Sequence, residues 1–395
     1  MKQGFNQAAD AVLQGTVTRK NGVPGVIAMA TNRSGNIYEG AFGKRDLSQA
    51  AGMTTDTVMA IFSCTKAVTG VAVMQLVEEG KIGLHDAAKR YVPEIADIMV
   101  LEGFDANGEP KVRPPKSDIT VSQLLLHTAG FGYDFFNHDL VKYGAAKNVP
   151  SVVSASLASM RSVLLHDPGT AWEYGSNIDW VGKVVESVRG KRLGEVMKER
   201  IFTPLGMNDT SFTISAAMRP RLAAMHARSP EGVMSTMAGF ELTQEPEQHM
   251  GGHGLYSTIG DYMKFVRMVL NDGAAPDGAG RVLKAETVAM MTANSLGDMK
   301  IKMLPGAIPS LSNDAEFFPG MPKSWGYTWM INDQQAPTGR PAGAVAWAGL
   351  ANLYYWIDRK NNVGGMWGTQ ILPFVDGVSV PGYLDFEKTV YDHLA

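Results

Sequence analysis

Between Ala67 and Val77 the chain carries almost only apolar or small side chains, among them Val68, Val71, Ala72, Val73, Met74 and Leu76. The run falls far short of the roughly 18 residues needed to span a bilayer. A helix that is apolar all round belongs in the middle of a domain. The rest of the chain has to wrap it. Directly before it stands Ser63-Cys64-Thr65-Lys66, after the apolar run Val58-Met59-Ala60-Ile61-Phe62.

Residues three apart share a helix face, so the Ser63 hydroxyl and the Lys66 amine meet if Ser63 opens the helix. A serine hydroxyl is a weak nucleophile and needs a base beside it. Lysine serves only when neutral, which means lowering its pKa by roughly three units, on the order of 4 kcal/mol. Burial in an apolar helix supplies that. The free N–H groups and partial positive charge of a helix start also suit a developing oxyanion. Ser63 is the only serine in the chain with a lysine three residues on. The plainer meaning of the tetrapeptide is a serine cap followed by a solvated lysine.

Around this helix the pattern changes twice. Phe5, Ala8, Ala9, Val12 and Leu13 give residues 5–18 an amphipathic helical spacing. Gly25–Ala30 and Ile37–Phe42 flank the turn Asn32-Arg33-Ser34-Gly35-Asn36 as a hairpin. Gly80 is placed to cap the central helix. Residues 86–118 are broken by prolines. Thr120–Leu126, 150–166 and 178–202 each predict a helix, so 86–210 forms a mostly helical section. Residues 213–250 are weakly patterned. Gly251–Thr258 is a glycine-rich turn, and Ile259–Leu270 follows as a helix capped by Thr258. Residues 295–323 predict a loop excursion. Strands follow at Gly326–Ile331, Ala344–Leu350, Leu353–Asp358 and Val363–Gly368, with a closing helix over Leu384–Leu394. Strands at both ends predict one antiparallel sheet in an α/β part (1–85 and 211–395), with helices on it and 86–210 inserted.

Composition narrows the function classes. Hydrophobic residues make up 45% and charged residues 19%, enough apolar material for a sizeable core. Net charge is -3, with no basic stripe for nucleic acid. One cysteine, Cys64, rules out an intrachain disulfide and fits a reducing compartment. The segment Met1–Asp10 lacks the apolar core of a signal peptide, so the expected location is cytoplasmic, with no membrane partner. His249 and His253 are four apart, but the glycines around them read as loop; no metal and no cofactor is expected. No Gly-x-Ser-x-Gly elbow is present, which argues against a histidine-based α/β-hydrolase. Phe131, Tyr133, Phe135 and Phe136 cluster after the helix at 120–126, to line a pocket or simply to pack.

Two further segments bear on chemistry. Glu173-Tyr174-Gly175-Ser176-Asn177 lies between a turn and a helix, where the Tyr174 hydroxyl can point into a cleft. Beside Lys66 its proton is expected to be easier to lose, and either group can then take the Ser63 proton. Trp347-Ala348-Gly349-Leu350 lies on a strand whose edge can offer a backbone N–H as an oxyanion donor. Small residues at Ala348 and Gly349 let a substrate approach.

The three segments, in this order, resemble the penicillin-recognising serine enzymes, whose Ser-x-x-Lys signature is a known catalytic motif. The resemblance is to the class C β-lactamase-like group and, within it, to the family VIII carboxylesterases. It extends to His127-Thr128-Ala129-Gly130 and to Gly254–Thr258. It implies a β-lactamase-like fold with the site at the seam of the two parts. It implies Ser63 as nucleophile, Lys66 and Tyr174 as the proton-handling pair, and the N–H groups of Ser63 and Leu350 as oxyanion donors. Trp347, Ala348 and Gly349 would contact substrate, together with Ser176 or Asn177. Class C β-lactamases usually have Lys-Thr-Gly where this chain has Trp347-Ala348-Gly349. The missing cation favours a neutral ester over an anionic β-lactam. The expectation is a carboxylesterase for small-molecule esters with short acyl chains, acting through an acyl-enzyme. An acyltransferase, a β-lactam or D-amino-acid peptide hydrolase, and a binder that acylates without turnover are the rivals.

Overall fold

The computed structural model describes residues 1–278 and 280–394. Its centre is a seven-stranded antiparallel sheet drawn from both ends of the chain. Strands β1 (Gly25–Thr31) and β2 (Asn36–Gly43) come from the first hairpin. Strands β3 (Lys323–Trp325), β4 (Met330–Asn332), β5 (Val345–Gly349), β6 (Leu353–Asp358) and β7 (Val363–Gly368) come from the last 75 or so residues. The spatial order is β2-β1-β7-β6-β5-β4-β3. β1 and β7 join the two groups, with Met29 opposite Met366. Every residue of β1, β5, β6 and β7 is buried. Both faces of the sheet are covered, so these strands read as continuous apolar runs.

The covering layers follow from the apolar faces. Helices α1 (Phe5–Thr18) and α6 (Ser379–Asp392) pack on each other, and α1 lies against β1 and β2. Helix α5 (Ile259–Leu270) packs on β1, β6 and β7. Helix α2 (Thr65–Glu78) is the central helix, buried at every residue from Thr65 to Leu76. Gly80, at φ +68°, caps it in the left-handed conformation glycine tolerates. Helix α3 (Val121–Leu125) opens on a capping box between Thr120 and Gln123, and helix α4 (Asn177–Arg189) packs across both α2 and α3. These two helices belong to a largely helical insert that closes one side of the site.

Several expected elements are broken where the chain must turn. The strand expected over Gly326–Ile331 starts only at Met330, as β4, and residues 326–329 are the tip of the β3–β4 hairpin. Thr328 takes φ +78°, and its side chain packs where Gly70 of α2 has no Cβ. The helix expected over 150–166 is a turn at Val152–Ser154 and a short helix at Leu157–Met160. Ala155 at φ +49° separates them, and Leu164 bridges to Val100 and Phe131 as extended chain. The helix expected over 178–202 ends at Gly190 and resumes at Leu193. The closing helix begins at Ser379, five residues earlier than expected. Residues 213–250 supply two short strands, His226–Arg228 and Met234–Thr236, which pair with each other, and the first also pairs with Ile371–Leu372.

Candidate active site

The short strand Val58–Ala60 delivers the chain to Ser63. It pairs with Tyr256–Thr258 and is gripped by the Gln370 amide, which accepts from Ala60 N and donates to Ala60 O at 2.9 and 3.0 Å. Ile61 N donates to Leu255 O at 3.0 Å, and the Tyr262 hydroxyl donates to Cys64 O at 2.9 Å. Phe62, only 2% exposed, is held at φ +43°. A non-glycine residue there stores roughly 1–3 kcal/mol of strain, retained because burial and these bonds over-determine it. The result is a one-turn 3-10 segment, Phe62–Cys64, that feeds Ser63 into the start of α2.

Lys66 follows one turn later and is fully buried. Its Nζ donates within 3.0 Å of Ser63 Oγ, 3.0 Å of Tyr133 OH and 2.7 Å of Gly252 O. Burial disfavours the ammonium and brings the pKa down to about 7, against the opposing pull of the Asp179 carboxylate. Cys64 is buried, and burial holds its thiol protonated.

Tyr174 reaches the same place from the insert. The segment His127–Gly130 holds it: Glu173 N donates to His127 O at 2.8 Å, and Gly175 N approaches His127 Nδ1 at 3.4 Å. The Tyr174 ring lies 4.8 Å from those of His127 and Trp347, and Lys66 Nζ stands 4.7 Å from its centroid. Trp347 Nε1 donates to the Tyr174 hydroxyl at 2.9 Å. A proton on Tyr174 was expected to be easier to lose; the structure shows the reverse. Burial pushes its pKa up, beyond what hydrogen bonds with Ser63 and Trp347 recover. His127 is held neutral by burial.

The third segment closes the site. A Cβ on Gly349 would come 2.4 Å from Ile61 O, so the end of β5 lies directly against the turn before Ser63. Ser63, Tyr174, Trp347, Ala348, Gly349 and Leu350 line one cleft with about 550 Å³ of empty space. Its other walls are aromatic and aliphatic: Phe135 and Phe136, Trp172, and Ile301, Leu304 and Phe317 from the loop before β3. Lys302, Glu316 and Lys323 also reach it. Lys323 is committed to Phe318 O and Met321 O, at 3.1 and 2.7 Å, and stands 3.7 Å from Glu316.

Ser176 and Asn177 do not line this cleft, contrary to expectation. Asn177 is fully buried and turned inward. Its Nδ2 donates to Phe131 O at 3.0 Å and to Glu173 O at 3.2 Å, and lies 3.0 Å from His127 Nδ1. Ser176 faces a separate hollow beside Gly132 and Ser159. Tyr133 and Asp179 are the ionisable groups beside Lys66 that the motifs missed. Tyr133 sat unassigned among neighbouring aromatics. Asp179 carried a signal, a carboxylate among Ile178, Val181, Val184 and Val185 on a helix whose apolar face is buried. His249 and His253 lie in a loop; His249 stacks on Phe212 at 4.4 Å. Among the described residues no group of His, Cys, Asp and Glu is placed to hold a metal, and no helix is long and apolar enough to cross a membrane.

A sheet built from both termini, a helical insert and a buried Ser-x-x-Lys turn at their junction define a β-lactamase-like serine enzyme. The comparisons agree: the beta-lactamase family model matches residues 6–384, and the chain belongs to that family. Over 97% of its length it is 29% identical to a monacolin J acid methylbutanoyltransferase of Aspergillus terreus, covering 96% of that protein. It is 31% identical to a lovastatin esterase of Penicillium rubens, over 90% of each chain. A solved LovD6 mutant of simvastatin synthase (LovD) from Aspergillus terreus superposes with a TM-score of 0.85 at 27% identity, covering 99% of this chain and 96% of the other. EstCE1, a hydrolase with promiscuous acyltransferase activity, superposes at 0.76 over 98% and 99% of the two chains; at 20% identity it speaks to fold alone. The family is one of serine acyl-enzyme chemistry, and the similar relatives include both acyltransferases and an esterase.

Proposed function

We propose that the protein cleaves carboxylic esters of small molecules through an acyl-enzyme on Ser63. The observation that carries this reading is the 3.0 Å contact between Ser63 Oγ and a buried Lys66 amine whose pKa stands at about 7. At that value a large fraction of Lys66 is neutral near pH 7 and can take the serine proton. Tyr174 holds its proton in the resting site, so Lys66 is the base that takes the Ser63 proton and Tyr174 the acid that gives its proton to the departing alkoxide, to be recovered from the attacking water. The N–H groups of Ser63 and Leu350 would receive the oxyanion. Water then releases the acid by the same steps reversed. Trp347 gives its indole N–H to Tyr174, and Lys323 is already bound to two carbonyls, so neither offers a free cation beside Ser63, which favours a neutral ester over an anionic β-lactam.

Transfer of the acyl group to an alcohol is the second reading. It is favoured by the largely apolar cleft, which suits an organic acceptor, and by the names of the acyltransferase relatives. A p-nitrophenyl ester assayed with and without added alcohol, for wild type and Ser63→Ala, tests both. Release of the free acid, lost in Ser63→Ala, is the expected result. A new ester dominating when alcohol is present would make the protein a transferase. Undiminished turnover by folded Ser63→Ala would overturn the acyl-enzyme.

A further inference from the structure

A neutral amine has two N–H donors and one lone pair, and Lys66 Nζ has three polar neighbours. Gly252 O, at 2.7 Å, can only accept, so it fixes one N–H. Tyr133 OH and Ser63 Oγ, both at 3.0 Å, compete for what remains. If Tyr133 accepts the second N–H, the lone pair faces Ser63. If Tyr133 donates to the amine, the lone pair turns away and Lys66 cannot take the serine proton. The outcome depends on where the Tyr133 proton goes.

Asp179 supplies the place. Its Oδ2 lies 3.5 Å from the Tyr133 oxygen, a long bond of the kind that tightens when a site fills. Its Oδ1 accepts from Gly252 N at 2.7 Å. One carboxylate therefore holds two of the three polar neighbours of Lys66 Nζ. The fit is close enough to demand glycine at 252: a Cβ there would lie 2.8 Å from either Asp179 oxygen and 2.9 Å from Tyr133 OH. Thr69 Oγ1 pins the preceding peptide by donating to Gly251 O at 2.7 Å. Asp179 itself is fully buried, in the first turn of α4, where the helix dipole favours a carboxylate.

We infer that Asp179 is a positioning residue: it accepts the hydrogen bonds of the Tyr133 hydroxyl and the Gly252 N–H, and so aims the Lys66 lone pair at Ser63. This rests on Lys66 as the base. The other ionisable groups around Lys66 are Tyr133, Tyr174, Cys64, His127 and His253. Burial keeps the tyrosines and the thiol protonated and the histidines neutral. Asp179 is the negative charge of the group.

The test is kcat and KM for an ester between pH 5 and 9 in Asp179→Asn, Tyr133→Phe and the double variant, with folding checked by melting. Asparagine keeps the shape and removes the charge. The expected loss in kcat for Asp179→Asn is about 100-fold, the scale set by a small misplacement of a reacting group. KM should stay within about threefold, because ground-state binding is untouched. The acid limb should move to lower pH, since the ammonium loses its counter-charge. The double variant should be no worse than the poorer single one. Wild-type kcat in Asp179→Asn, a limb that stays or moves up, or losses that multiply would each overturn the inference. Should Asp179→Asn not fold, Tyr133→Phe decides alone: unchanged kcat overturns it. Inactive Ser63→Ala beside a wild-type Asp179→Asn would defeat this inference only; active Ser63→Ala would defeat the underlying reading.

Discussion

Two opposed effects meet on the Lys66 side chain. Burial removes the water that stabilises an ammonium, and the Asp179 carboxylate restores part of that stability; the balance leaves the pKa at about 7. With Lys66 as the proposed base, activity needs the neutral amine and should rise with pH up to that value. On the acid side kcat/KM is expected to fall about tenfold per pH unit, as a pH–rate profile would show; a limb centred below pH 5 would mean a different base. Tyr174 adds no limb in the neutral range, because burial raises its pKa. Trp347 donates its indole N–H to that hydroxyl at 2.9 Å, and Trp347→Phe keeps an aromatic, though smaller, side chain and loses the bond. A neutral hydrogen bond is worth about 1 kcal/mol, so kcat should drop roughly five- to tenfold with little change in KM. An unchanged kcat would show that the bond does not orient Tyr174. Ser63 and Lys66 were legible because they meet within one helical turn. Tyr133 was not, and the buried carboxylate of Asp179 carried no hint of its partner, because what brings both to Lys66 is the packing of α4 and the Gly251-Gly252 strap.

At the level of elements, residues with strong local signals read correctly. Phe5–Thr18, Gly80 and the Thr258 cap are settled by side chains a few residues apart. The misreadings fall where distant packing decides the backbone. Thr328 turns because the β3–β4 tip must seat on Gly70, and 150–166 cannot stay helical once Leu164 bridges Val100 and Phe131. The same close packing sets the site. The end of β5 meets the turn before Ser63 with room only for hydrogen at Gly349. In Gly349→Ala the added carbon must push the strand off Ile61 O, a backbone atom that cannot swing aside. Displacing the strand end by even about 1 Å should cost on the order of 100-fold in kcat/KM. Ester kinetics on protein shown to be folded checks this, and wild-type kinetics would mean that the β5 edge does not take part in the reaction.

For the molecule as a whole, the sheet is assembled from chain ends more than 300 residues apart, since β7 pairs with β1. Strands at both termini made that closure legible, while the strand order was not, because apolar alternation does not say which neighbour a buried strand takes. The C-terminal helix α6 has to be fixed to this sheet, and part of the fixing is ionic. Glu387 of α6 and Arg340 of the β4–β5 connection are both buried, with Arg340 Nε 3.2 Å from Glu387 Oε1. Burial raises the Glu387 pKa and Arg340 opposes the shift. Such a pair adds little net stability over apolar residues of the same size, but removing one partner strands the other charge. Glu387→Gln leaves Arg340 buried without its counter-ion. It should lower unfolding stability by about 3 kcal/mol or more, measured by urea titration. The double variant Arg340→Met, Glu387→Leu should recover most of that loss, because it buries no charge at all. A Glu387→Gln protein as stable as wild type would mean that water reaches Arg340 and that α6 is held by its apolar face alone.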